Sequence, residues 1–378
     1  MNPQVDPVEL TRALVRMNTV NRDGQGDETP CIEHLAALLR PAGFACRIVE
    51  FAPRRASLVA RLGGDPARPA LAFTGHVDVV PLGAAPWRHD PFGAEIVDGK
   101  LYGRGSSDMK SGVAAFVAAV LAEADAIAAG AGVVLIVTAG EESGCEGAID
   151  VARRPELNEM LANVGALVVA EPTGNRPLAA HKGALWLRAR ASGTTAHGSM
   201  PERGDNAIYK LAPALLALRD FDFGVAEHAL MGRPTLNVGL IQGGLNINSV
   251  PDAAHFTLDI RTVAGQDHAA LRQRLQTLLG PQIALEDVLD TASVFTDPQH
   301  PWMRFVTELC TPGEAPGSVA YFTDAAILRA RLDDAPTVIL GPGEAHMAHQ
   351  TDEYCLVERI VAATGFYRRI LADWRTRA

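Results

Sequence analysis

Five side chains that favour divalent metals stand along this chain, each at the end of an apolar run. They are His76 in Thr74-Gly-His-Val-Asp78, Asp108 in Gly103-Arg-Gly-Ser-Ser-Asp108, Glu142 in Gly140-Glu-Glu-Ser143, Glu171 before Pro172, and His349 in Ala348-His-Gln-Thr-Asp352. Imidazole and carboxylate suit zinc and its neighbours, and one carboxylate can bridge two ions. Together the five read as a cage for two Zn2+, with Co2+ or Mn2+ as substitutes. His346 is a local rival to His349, and we favour His349.

The neighbours of these residues suggest a division of labour. In His76-Val-Asp78 the strand period of two puts both side chains on one side, so Asp78 is expected to accept the second ring N–H of His76 and fix its tautomer. The same pair would also suit a buried structural histidine. Asp108 precedes a helix, where it could bridge metals or cap the helix N-terminus. Glu141 and Glu142 are adjacent carboxylates that repel one another and resist desolvation. A solvated turn tolerates that, and Glu171 has the same alternative. In a cage, Glu142 binds metal and Glu141 stays free as general base. Cys145 reads as a small residue packed under the site.

The elements that must carry these groups follow from hydrophobic spacing. Helical periodicity marks 8–17 and 28–39; strands are expected over 44–51, 56–62 and 70–74. A Pro- and Gly-rich loop runs from 81 to 105. A helix over 111–129, buried strands over 132–138 and 166–170, a helix from about 302, a strand over 337–340 and a final helix over 356–374 complete an alternating pattern. Such alternation implies an α/β fold with a mixed, largely parallel sheet flanked by helices, whose ligands gather at the carboxyl ends of the strands. His76, Glu141, Glu142 and Glu171 lie at or just past such ends. Between them the pattern changes: 185–191, 235–242 and 255–261 alternate apolar and polar residues, with helices over 206–219 and 267–279. We read 182–292 as an inserted α+β domain, and 1–181 with 293–378 as the metal-binding catalytic domain.

At 378 residues two domains are expected. A net charge of −10 with no basic stripe disfavours nucleic acid, and no apolar run is long enough to span a membrane. Five cysteines without a C-x-x-C pair argue against a disulfide framework. The start, Met1-Asn-Pro-Gln-Val-Asp6, has no signal core, so the expected location is cytoplasmic.

Five stretches carry a resemblance. Gly75-His-Val-Asp-Val-Val-Pro81, then Asp98-Gly-Lys-Leu-Tyr-Gly-Arg-Gly-Ser-Ser-Asp-Met-Lys110, then Glu141-Glu142, Glu171-Pro172 and Ala348-His-Gln-Thr-Asp-Glu353 follow in order. In these the chain resembles the dinuclear zinc amidohydrolases and peptidases that include acetylornithine deacetylase, succinyl-diaminopimelate desuccinylase, aminoacylase and glutamate carboxypeptidase. The resemblance implies a zinc-peptidase-like catalytic domain with an inserted lid or dimerisation domain. One zinc would take His76, Glu171 and Asp108, the other Glu142, His349 and the shared Asp108. It implies a cis peptide at Asp108–Met109. Gly193-Thr-Thr-Ala-His197 and Gly243-Gly-Leu-Asn-Ile-Asn248 match segments in which His197 steadies the oxyanion, from the partner subunit of a homodimer, and Asn248 touches substrate. Asp259-Ile-Arg261 matches a strand whose arginine holds a substrate carboxylate. Without the resemblance His197 would read as an exposed loop histidine and Arg261 as a surface residue paired with an acid. Thr323-Asp324 matches a position near the site.

The implied reaction is hydrolysis of a linear amide, in which the metals activate water and Glu141 takes its proton. The expected substrate is an N-acyl amino acid or a short peptide. Alternatives are a metallo-carboxypeptidase or dipeptidase, an N-carbamoyl-amino-acid hydrolase, or a non-catalytic binding module of the same fold. The segment Ala180-His-Lys-Gly-Ala-Leu-Trp186 lacks the Arg-Arg-Gly-Ser run associated with desuccinylation. The acetylornithine enzymes differ around Gly103-Arg-Gly-Ser-Ser107, so neither substrate is assigned.

Overall fold

The computed structural model describes residues 5–22, 24–65 and 67–377. The chain folds into two compact units: one of residues 1–180, 295–317 and 323–378, the other of residues 181–294 and 318–322. The short segment 318–322 thus groups with the second unit, whereas the sequence reading leaves it in the 293–378 stretch.

The first unit is built on one mixed sheet. Its centre is Ala70–His76, in which every residue is buried. This strand runs parallel to Val133–Thr138 on one side and to Val164–Val169 on the other. Thr337–Ile339 adds a further parallel neighbour beyond Val164–Val169. Covered on both faces, these strands have no polar alternation, which is why they appear as unbroken Val, Leu and Ala runs. Arg55–Leu62 and Ala45–Ala52 extend the sheet antiparallel on the Val133 side.

Helix Ser111–Ala122 is buried all round, apart from its last residue. It packs against Pro7–Val15 and Val357–Arg377 as well as against Ala70–His76. The predicted helix over 111–129 breaks at Glu123 and resumes as Ala124–Ala128. The loop expected over 81–105 contains two short strands, Ile96–Val97 and Lys100–Tyr102, the second of which pairs with Tyr354–Leu356. Helices Glu146–Arg153 and Ala325–Arg331 and strands Leu178–His181 and Ile283–Thr291 are additions to the sequence reading. Most are short, and short elements carry little periodicity.

In the second unit a four-stranded antiparallel sheet runs in the order Thr235–Gly243, Ala253–Thr262, Gly183–Ser192, Ile283–Thr291. Helices Ala207–Arg219 and His268–Leu279 cover one face, over Leu185, Leu187, Phe256, Leu258 and Ile260. The alternating burial of Ala253–Thr262 is the consequence. Thr235–Gly243 is an edge strand, and all of its last five residues are exposed. Among the described residues no helix is long and apolar enough to cross a membrane.

Candidate metal centre

The three central parallel strands end together, and their ends deliver His76, the Glu141-Glu142 turn and Glu171 to one place. His76 is the last residue of its strand. Gly140 adopts φ +73, and a Cβ there would meet Arg55 Nη2 at 2.5 Å, so only glycine lets the chain turn tightly before Glu141. Asp108 comes from the turn that precedes helix Ser111–Ala122, with no helix-capping hydrogen bond of its own. His349 lies on a loop at φ +64, a conformation non-glycine residues adopt at a cost and one that gathers at functional sites. The Asp108–Met109 peptide is cis.

Asp108 stands between the two histidines. His76 Nε2 is 3.2 Å from Asp108 Oδ1 and 3.9 Å from Glu171 Oε1. His349 Nε2 is 3.5 Å from the other oxygen, Asp108 Oδ2, and 3.0 Å from Glu142 Oε2. Each oxygen of Asp108 therefore faces a different imidazole, the arrangement a bridging carboxylate needs. Ligand atoms of His76, Asp108 and Glu142 lie within 4.8 Å of one another, as do those of His76, Glu141 and Glu171. The second set includes Glu141, the residue read as an unligated base. His346 points elsewhere: its Nδ1 is 3.9 Å from Glu344.

Asp78 does a different job from the one the strand period suggests. The main-chain carbonyl of Asp78, at 3.0 Å, faces His76 Nδ1, while its carboxylate Oδ1 is farther off at 3.5 Å. A carbonyl only accepts, so Nδ1 carries the proton and Nε2 offers its lone pair to the cage. The Asp78 carboxylate instead accepts the N–H groups of Glu141 at 3.1 Å and Glu142 at 3.2 Å. The regular strand stops at His76, so period-two logic does not extend to residue 78.

The charge balance calls for cations. Four carboxylates (Asp108, Glu141, Glu142 and Glu171) converge on two imidazoles, and among the described residues no Lys or Arg forms an ion pair with any of the four. Burial pushes Glu141 well above the usual carboxylate range; His76 opposes this, and Glu171, Asp324 and Glu142 add to it. Glu171 is likewise driven well up by burial, against the pull of His76. Glu142 is raised by burial and by the charge of Asp108. Burial also acts to raise Asp108, but the hydrogen bond and charge of His76 and the charge of His349 bring it below its ordinary value. Burial opposes protonation of His76, yet Asp108, Glu171, Asp78 and Glu141 together hold it well above its ordinary value. Hard and borderline divalent cations fit a donor set of this kind.

Asp324 lies beneath these groups. It is buried and accepts a hydrogen bond from Thr138 Oγ1. Burial raises its pKa to about 6. Burial also pushes the Cys145 thiol well up, with Asp324 and Glu141 adding to the shift. A thiol held protonated in this way is no nucleophile.

In the second unit the candidates divide into two groups. His197 is exposed. The N–H of Ser199 donates to its Nδ1 at 3.2 Å, so Nε2 carries the hydrogen and can donate outward. Asn248 is exposed beside it, and its main-chain oxygen accepts the N–H of Gly198 at 2.7 Å. Arg261 is half-buried, paired through Nε with Asp259 Oδ1 at 2.8 Å. Its guanidinium lies 5.8 Å from the Trp186 ring centre and 5.7 Å from that of Phe322. Ala253 pairs with Ser192, near the His197 loop, whereas Arg261 pairs with Ala184 at the far end. About 27 Å of strand separates those two ends. Within one copy of this unit, His197 and Arg261 cannot meet on one small molecule.

Comparison with known proteins gives the family. Residues 72–373 match the model of peptidase family M20/M25/M40. A succinyl-diaminopimelate desuccinylase of Rhodospirillum centenum is 33% identical over 98% of this chain and 97% of its own length. An acetylornithine deacetylase of Myxococcus xanthus is 31% identical over 97% of each chain. Among solved structures, an M20 family metallo-carboxypeptidase from Sulfolobus solfataricus shares the fold with a TM-score of 0.78, at 18% identity over 98% of this chain and 100% of that one.

Proposed function

This chain belongs to peptidase family M20/M25/M40, and on that premise we propose that it is a two-zinc hydrolase of N-acyl amino acids. The observation that carries the reading is the pair of contacts made by Asp108, one oxygen toward His76 and the other toward His349. His76, Asp108 and Glu171 would hold one ion, and Asp108, Glu142 and His349 the second. Cobalt or manganese would suit the same donors. Bound there, the ions supply Lewis acidity, which acidifies water and polarises an amide carbonyl.

The chain's own residues do the rest. The Asp78 carboxylate fixes the main chain of the Glu141-Glu142 turn through two N–H groups, so one glutamate can ligate while the other faces the reacting atoms. Glu141 accepts the proton of the attacking water and returns it to the departing amine. Its upward displacement by burial makes it a stronger base than an ordinary carboxylate. His197 Nε2–H is a donor suited to the charge that develops on the carbonyl oxygen. Arg261 would take the substrate carboxylate, exchanging it with Asp259.

The distance between the two ends of the second unit's sheet supports a homodimer in which His197 serves a partner's site. The exposed edge strand Thr235–Gly243 is the kind of surface through which two copies pair. Five unpaired cysteines suit a cytoplasmic location.

The test is a panel of N-acetyl, N-succinyl and N-carbamoyl amino acids and dipeptides, assayed with the zinc-loaded protein. Turnover of an N-acetyl or N-succinyl amino acid with a free α-carboxylate is the expected result. Turnover confined to dipeptides or carbamoyl compounds, or none with any member, would overturn it.

A further inference from the structure

Glu353 is fully buried and belongs to no candidate ligand set. Its Oε1 accepts the N–H of Ser107 at 2.8 Å and of Asp108 at 3.0 Å. Its Oε2 accepts the N–H of Gly105 at 3.1 Å and Arg104 Nη1 at 2.7 Å. These main-chain donors converge because Gly105 adopts φ +84, and a Cβ there would meet Val79 Cγ1 at 2.6 Å. Converging N–H groups of this kind form a concave anion site. Here the anion is the chain's own carboxylate.

Arg104, also buried, carries the connection to the other side of the cage. Its Nη1 donates to the main-chain oxygen of Gln350 at 3.3 Å, and its Nη2 to that of His349 at 3.5 Å. The Ser107 hydroxyl donates to the main-chain oxygen of Tyr354 at 2.6 Å, which fastens the two segments again. One buried ion pair therefore holds the backbone at both Asp108 and His349, residues far apart in sequence whose side chains must share an ion. Asp78 does the equivalent for Glu141 and Glu142.

We infer that Glu353, acting with Arg104, is a positioning residue that sets the Asp108-to-His349 separation and hence the affinity of the metal position shared by Asp108, Glu142 and His349. The inference rests on the two-metal reading above. A carboxylate offers four acceptor sites to four donors, and charge assistance strengthens each bond. A glutamine of the same shape turns an NH2 group toward N–H donors, so part of the loop loses its acceptor and shifts. The neighbouring position shares Asp108 but takes its other two ligands, His76 and Glu171, from strand ends outside this clamp.

The experiment compares the full chain with its Glu353→Gln and Arg104→Lys variants. Metal stoichiometry is measured after equilibrium dialysis against zinc, and the visible spectrum is recorded as cobalt is added stepwise. Thermal unfolding without metal serves as the fold control. Two ions in the unaltered chain are the premise; fewer would overturn the two-metal reading rather than this inference. Given two, Glu353→Gln is expected to keep the first ion and to bind the second at least about tenfold more weakly. The cobalt spectrum of the second equivalent should change and that of the first should not. Arg104→Lys should show the same pattern more mildly. Equal affinity for both ions and an unchanged spectrum in Glu353→Gln would overturn the inference. If Glu353→Gln does not fold, Arg104→Lys decides by the same readings; if neither folds, the pair is a fold element and the inference fails.

Discussion

The two units present their candidate residues in opposite ways. In the first, His76, Asp78, Glu141 and Glu171 are buried, and Asp78 orients His76 through its main-chain oxygen and the Glu141-Glu142 turn through its carboxylate. In the second, His197 and Asn248 are exposed, and Arg261 is answered by an acid of its own strand. A buried cluster of like charges persists only if something compensates it, so the first unit declares its chemistry within one copy. Exposed residues on loops make no such demand. Their role is completed by what binds them, here proposed to be a substrate and a second copy of the chain.

Substitutions in the two units should separate this difference. The largest loss is expected from Glu141→Gln, which should lower kcat at least about 10²-fold while two metals remain bound. Normal turnover in that variant would remove Glu141 from its role. His349→Ala should take the content from two ions toward one by elemental analysis, whereas His346→Ala should leave it unchanged. The reverse result would exchange the two histidines. His197→Ala should lower kcat with metal content and melting temperature unaltered. Mixing it with Glu141→Gln subunits should restore part of the activity, since one site of each hybrid regains both groups. A mixture no more active than its components would count against action across subunits. The smallest effect is expected from lowering pH. Glu142 and Glu171 are displaced upward and must lose their protons to bind metal, so protons compete with it. Metal release should therefore begin above the ordinary carboxylate range as pH falls; retention of both ions down to about pH 4 would contradict that sign.

The legibility of the sequence also differed between the regions. Ala70–His76 and Val133–Thr138 were plain in the sequence because strands buried on both faces leave unbroken apolar runs, and their ends pointed to His76 and Glu141. The second sheet was visible as alternation in Ala253–Thr262. Its edge strand Ile283–Thr291 escaped notice, since Glu286, Asp287 and Val288 are all exposed and interrupt the pattern. The strand period points to the Asp78 carboxylate as the acceptor, whereas its main-chain oxygen takes that place, because periodicity does not tell where a strand stops. Glu353 and Arg104 lie within longer motifs. Their pairing joins segments far apart in sequence, and no local spacing encodes such a contact. A charged residue beside Tyr354-Cys-Leu356, a strand with a buried centre, was the available signal.

The central claim is that Asp108 holds two ions at once, one with His76 and one with His349. Anomalous scattering at the zinc edge from crystals of the zinc-loaded protein tests it directly. The account predicts two peaks of similar height, one on each side of the Asp108 carboxylate. A single peak, or two peaks with Asp108 touching only one of them, would contradict it.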